Sequence, residues 1–215
     1  MKVKKMTLLA MFAAVAYVFM FFGRLPISTV DFLKYDPKDI IIVICGFIMG
    51  PSAALLVSAI VSLIEMVTVS TTGFWGLVMN ILSTCSFACT ASFIYKKKRT
   101  LSGAITGLAV GCAVMIVMML AWNYLVTPIY QGVPREAVAA MLIPVFLPFN
   151  ALKGSINAAM TLIIYKPVSV ALSKAGFLRI SDNVKNGKLN IEVLSASVLI
   201  LLTSVLIILA MKGII

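Results

Sequence analysis

Hydrophobic residues in this chain run in long blocks, broken only by short polar stretches. The blocks cover residues 6–22, 40–69, 74–95, 101–126, about 148–174 and 191–211. Most are long enough to cross a hydrocarbon core as helices, which satisfy their own backbone groups in lipid. The pattern predicts an all-α protein, a polytopic membrane helical bundle. Within the first block, Ala10 and Ala14 make a small-x-x-x-small face with Ala13 beside them, where another helix can approach closely. Gly103, Gly107 and Gly111 form a similar edge in the fourth block.

The second block is too long for one crossing. Thirty residues of helix extend about 45 Å, against a core of about 30 Å. Gly50-Pro51 is the natural break, and the charges decide for it. Three lysines precede the first block, and Lys96-Lys97-Lys98-Arg99 closes the block at 74–95. Two helices between them put both clusters on one face, whereas a single helix would separate them. With that break, residues 1–180 hold six spans. Twelve basic residues fall on the cytoplasmic side, five (Arg24, Lys34, Lys38, Arg135, Lys212) fall outside, and Lys153 lies within the membrane. The amino terminus is expected inside. Ala14-Val15-Ala16 resembles a signal-peptide cleavage site, but apolar sequence continues to Phe22, so a retained first helix is expected. A loop carrying Pro128, Gly132 and Pro134 is expected after residue 126, followed by a short surface helix over 135–143. Residues 181–190 read as a polar linker, and 191–215 as a seventh, accessory transmembrane helix.

Composition agrees: 62% of residues are hydrophobic, only 12% are charged, and the mean hydropathy is +1.11. A net charge of +11 would suggest nucleic acid in a soluble protein. Here the basic residues cluster at block ends, with no basic face interleaved with aromatics, so membrane orientation explains the charge and no nucleic-acid partner is expected. Cys45, Cys85, Cys89 and Cys112 lie in apolar sequence, and the chain has no histidine, so they read as packing residues rather than metal ligands. The G-x-x-x-x-G-K-[ST] phosphate loop and the G-x-S-x-G nucleophile elbow are both absent. An enzyme is not expected.

The polar residues inside the blocks carry the chemistry. Asn150, Lys153 and Asn157 recur at i, i+3 and i+7 on one helical face, and Pro148 suits the first turn of that helix. In the six-span topology, Asn150 and Lys153 lie at the outer end of their span. Asn123 and Tyr124 end the preceding span at the same surface, Glu65 lies about a turn inside it, and Tyr35, Asp36 and Asp39 belong to the outer loop and the start of the second span. Such convergence is what one polar-lined pocket requires. Two other readings stand beside it. Lys153 can snorkel outward or pair structurally with Glu65, and the asparagines can serve as interhelical hydrogen-bond glue.

Several short segments resemble the riboflavin-binding S components of energy-coupling factor (ECF) transporters. They are Leu33-Lys34-Tyr35-Asp36-Pro37, Asn123-Tyr124 ahead of Thr127-Pro128, Leu147-Pro148-Phe149-Asn150-Ala151-Leu152-Lys153-Gly154 with Asn157, and Tyr165-Lys166-Pro167. The resemblance covers residues 1 to about 180. It implies a compact six-helix bundle that binds riboflavin near the outer surface, beneath the first loop. Asn123, Asn150 and Lys153 would then meet the polar edge of the flavin ring, with Tyr35 contributing from the loop; Asp36, Glu65 and Asn157 complete the candidate set. Riboflavin, or its phosphate FMN, would be a transported ligand and not a cofactor. Ala10 and Ala14 would dock onto a shared transmembrane coupling subunit that works with two ATP-binding subunits in the bacterial cell membrane. The segment 181–215 departs from the family, whose members usually end soon after the sixth helix. An S component for another vitamin, and an ion-coupled carrier using Glu65 and Lys153 as charge partners, are the alternatives.

Overall fold

A computed structural model describes residues 2–27, 33–177 and 191–211. The predicted 181–190 linker lies outside these, as do Phe32, Arg179, Lys185, Lys188 and Lys212. The chain forms α1 (Lys2–Gly23), α2 (Lys38–Met49), α3 (Pro51–Thr68), α4 (Gly73–Lys98) and α5 (Leu101–Gln131). A short α6 (Arg135–Met141) passes through a π turn (Leu142–Phe146) into α7 (Leu147–Lys174), and α8 (Ile191–Met211) follows. Among the described residues, six helices are long and apolar enough to cross a membrane. The exception among the expected spans is α2, whose 12 residues extend about 18 Å.

The break between α2 and α3 falls at Gly50, as the charge pattern requires. Gly50 has φ 101°, a left-handed conformation that residues with a Cβ rarely adopt, and it caps α2 by donating to the Gly46 carbonyl. Pro51 then opens α3, where its missing N–H costs nothing. This tight joint ends α2 after 12 residues, with residues 38–47 all buried among the other helices.

The glycine edge on α5 also has a structural reason. A Cβ at Gly107 would stand 2.7 Å from the Ala91 carbonyl oxygen, and one at Gly111 would stand 2.6 Å from that of Phe87. α4 and α5 therefore pack backbone to backbone, as small residues allow in lipid. Leu8, Phe12, Ala13 and Ala16 of α1 turn inward to the main core, whereas Ala10 and Ala14 face outward and are exposed.

One local expectation needs correction. No loop begins after residue 126: α5 continues through Pro128 to Gln131 and is closed by Gly132 at φ 65°. A proline removes one intrahelical donor, a loss the last turn tolerates. The expected short surface helix is present as α6, mostly exposed and anchored by one residue. Val138 is buried with Ile27, Leu33, Tyr35, Phe146 and Phe149 in a second apolar cluster beneath the α1–α2 loop. α8 packs along α7, and Ser197 and Ser204 are its buried residues.

Candidate functional site

The α1–α2 loop closes on itself through two backbone hydrogen bonds between Leu25 and Tyr35, of 3.1 and 2.8 Å. This bridge directs Tyr35 and Asp36 into the bundle. Directly afterwards α2 begins, and its first residues, Lys38 and Asp39, are buried at 1% and 0% exposure. Charges this deep must be matched. Lys38 pairs with Glu65 and with Asp36 (3.5 Å), while Arg24 reaches Glu65 at 3.1 Å and Asp36 at 3.5 Å. Asp39 pairs with Lys153 at 3.1 Å. Three cations and three carboxylates thus balance in two groups, Arg24 and Lys38 with Asp36 and Glu65 in one, and Lys153 with Asp39 in the other.

A lattice of neutral groups surrounds these charges. Thr84 of α4 donates to Asp39 Oδ1 at 2.7 Å, and Asn157 Nδ2 reaches Asp39 Oδ2 at 3.4 Å. The Tyr35 phenol donates to Asn157 Oδ1 at 2.9 Å, and Lys153 donates to Ser83 at 3.4 Å. Burial, then the charges of Asp39 and Asp36, push the Tyr35 phenol well above its ordinary value, so it remains a donor.

Pro148 lacks the N–H that an α-helical Pro144 carbonyl would accept, which accounts for the widening of the chain to a π turn just before α7. Asn150 donates back across that junction to the Phe146 carbonyl at 2.7 Å. On α5, Asn123 donates to the Met119 carbonyl at 2.7 Å and accepts from Thr127 at 2.9 Å. Each amide is thereby held in one orientation by its own helix.

A cavity of about 30 Å³ lies between these helices, and Asn123, Asn150, Lys153, Phe149, Asn80 and Ser83 are among the residues lining it. Arg24, Leu33, Lys34 and Asp36 form its loop side. Asn123, Asn150, Lys153 and Asp36, all expected from sequence, therefore share one cavity. Tyr35 and Asn157 are joined to that group through hydrogen bonds rather than lining it. Glu65 lines a neighbouring polar cleft with Arg24, Ser70, Thr71 and Thr72. The alternative reading in which Lys153 pairs with Glu65 does not hold. Asp39 takes the lysine, and Lys38 with Arg24 takes the glutamate.

Sequence reasoning gave Arg24 and Lys38 a topological role alone and did not single out Asn80, Ser83 and Thr84. The last three stand at i, i+3 and i+4 in an apolar block, a polar stripe of the kind that drew attention to α7.

A multi-pass helical bundle with a polar cavity at one end, lined by four segments of the chain (the α1–α2 loop, α4, α5 and α7), is the architecture of a membrane solute-binding or transport protein. Comparison with known proteins narrows that class. Residues 4–165 match the family described as "ECF transporter, substrate-specific component". The chain is 30% identical over 178 residues to the riboflavin transporter FmnP of Bacillus subtilis strain 168, covering 77% of this chain and 92% of that protein. It is 28% identical over 178 residues to the riboflavin transporter RibU of Staphylococcus aureus strain TCH60, covering 80% and 93%. A solved S component of a bacterial ECF transporter superposes with a TM-score of 0.69 at 28% identity, covering 80% of this chain and 99% of that one. This chain belongs to the substrate-specific components of ECF transporters, and as a transporter component it is not an enzyme.

Proposed function

We propose that this chain captures riboflavin at the outer face of the bacterial cell membrane, with its amino terminus in the cytoplasm. The observation that carries the reading is the cavity lined by Asn123, Asn150 and Lys153, in a chain whose relatives include riboflavin transporters. Two amides and an ammonium group suit the polar edge of an isoalloxazine ring, which offers carbonyl oxygens and an N–H. Phe149 and Met119 line the same cavity and provide apolar surface for the ring faces. Ligand pockets usually enclose about 300 Å³ or more, so a tricyclic ring enters only if side chains such as Leu33 and Phe149 give way.

Uptake then depends on partners. Ala10 and Ala14, exposed on α1, are assigned to docking on the shared transmembrane subunit, which couples the chain to two ATP-binding subunits. The charge pairing argues against the ion-coupled carrier. Glu65 and Lys153 are each matched to other residues and do not form the couple that such a carrier would switch.

Flavin fluorescence tests the proposal. Detergent-purified protein should quench riboflavin fluorescence saturably at one flavin per chain. Folded protein that leaves the fluorescence unchanged would sink it.

A further inference from the structure

We propose that Asp39 is a positioning residue: its carboxylate holds the Lys153 ammonium at the cavity wall. The link to flavin affinity rests on the riboflavin reading above, whereas the positioning itself does not.

The geometry is specific. Asp39 is fully buried at the start of α2, and its two oxygens receive groups from two other helices. Oδ1 accepts from Thr84 of α4 at 2.7 Å, and Oδ2 meets Lys153 at 3.1 Å and Asn157 at 3.4 Å, both from α7. The lysine ammonium carries three N–H groups. Asp39 takes one and Ser83, at 3.4 Å, takes a second. The third is left for the cavity that Lys153 lines. Lys38, next to Asp39 in sequence, does not compete for this carboxylate, because Asp36 and Glu65 occupy it.

Lysine has a long flexible stem, and near a membrane surface its charge moves toward water unless something detains it. Asp39 detains it. It also offsets the cost of an ammonium group that is only 5% exposed. The carboxylate needs no contact with ligand to govern affinity, since it acts through the direction of Lys153.

Two readouts test this in the full-length protein. The first is a cycle of riboflavin affinities for wild type, Asp39→Asn, Lys153→Met and the double variant. Asp39→Asn should weaken binding about tenfold or more, because the buried pair is broken. The double variant should match Lys153→Met within about threefold, since coupled residues do not add. A double variant weakened by the product of the two single effects would overturn the proposal. If Asp39→Asn fails to fold, the double variant, which buries no lone charge, still decides by comparison with Lys153→Met. The second readout needs no flavin. An amine-reactive ester should label Lys153 faster in Asp39→Asn than in wild type, relative to exposed Lys34 as internal reference, and an unchanged ratio overturns the positioning. Faster labelling in a protein that never binds flavin would sink the riboflavin reading and leave the positioning intact.

Discussion

The phenol of Tyr35 and the amide of Asn157, 122 positions apart, share a hydrogen bond of 2.9 Å in which Tyr35 donates. It joins the α1–α2 loop to the middle of α7, one turn from Lys153. Asn157 is fully buried, so Tyr35→Phe leaves its amide oxygen without that donor. A buried acceptor left unsatisfied costs about 1–3 kcal/mol. Thermal unfolding in detergent should reveal that loss, and riboflavin affinity should fall with it because the loop forms one side of the cavity. An unchanged unfolding temperature would mean that water replaces the phenol.

The same residue sets a pH limit. Burial and the two nearby aspartates raise the Tyr35 phenol above its ordinary value of 10.0. A group whose folded value is raised contributes stability that is complete below its unfolded value and is lost as pH climbs through the folded one. Tyr35 should therefore leave stability flat through neutral pH and erode it only above about pH 10. Comparing wild type with Tyr35→Phe across pH 7–11 isolates this contribution. The gap between them should stay constant to about pH 10 and shrink beyond it.

Much of the fold was legible because its causes are local. The Gly50-Pro51 joint needs one left-handed residue and one proline, and the charge clusters at 2–5 and 96–99 fix how many helices lie between them. The α7 stripe is periodic, and periodicity survives without coordinates. Charge pairing was not legible, since Asp39 and Glu65 both approach the same end of the bundle and depth alone offers Lys153 either partner. The choice is made by the short α2, which inserts Lys38 and Asp39 side by side between α3 and α7. Pro128 misled for a related reason. Proline usually ends a helix, but in the last turn it removes only one hydrogen bond, and Gly132 supplies the actual stop.

The α4–α5 contact predicts the effect of added bulk. Gly107→Leu would drive a side chain into the Ala91 carbonyl, where even a Cβ stands at 2.7 Å. Overpacking of this kind costs about 1–3 kcal/mol or more. All four cysteines are free and at least partly buried, so a thiol-reactive dye reports unfolding directly. The Gly107→Leu midpoint should drop clearly below wild type. Val110→Leu on the exposed face of the same helix should leave the midpoint in place.

Lys38 and Glu65 offer a test of the charge balance. Lys38→Met leaves Glu65, 1% exposed, with Arg24 as its remaining ion-pair partner, and breaking a buried pair in this way costs about 3–5 kcal/mol. Lys38→Met with Glu65→Gln removes one charge of each sign and leaves Arg24 matched to Asp36. The double variant should therefore melt higher than Lys38→Met alone. Equal melting of the two would show that Glu65 is not held by charge.

α8 is the part of the molecule that the family comparison accounts for least. The solved S component is covered over 99% of its length while using only 80% of this chain, and the family match ends at residue 165. α8 packs on α7 and contributes Ile208 to the margin of the cluster around Phe146 and Phe149, but no residue of α8 lines the cavity. Lipid can replace most of its apolar contacts, since hydrocarbon is as apolar as the helix it would cover. Ending the chain after Phe177 should therefore leave riboflavin affinity within about threefold of wild type, because removed groups that share no partner with the site add little. Equilibrium quenching titrations on the two purified chains decide it. A loss beyond about tenfold would mean that Ile208 and its neighbours hold Phe149 in place, making α8 part of the binding domain rather than an appendage to it.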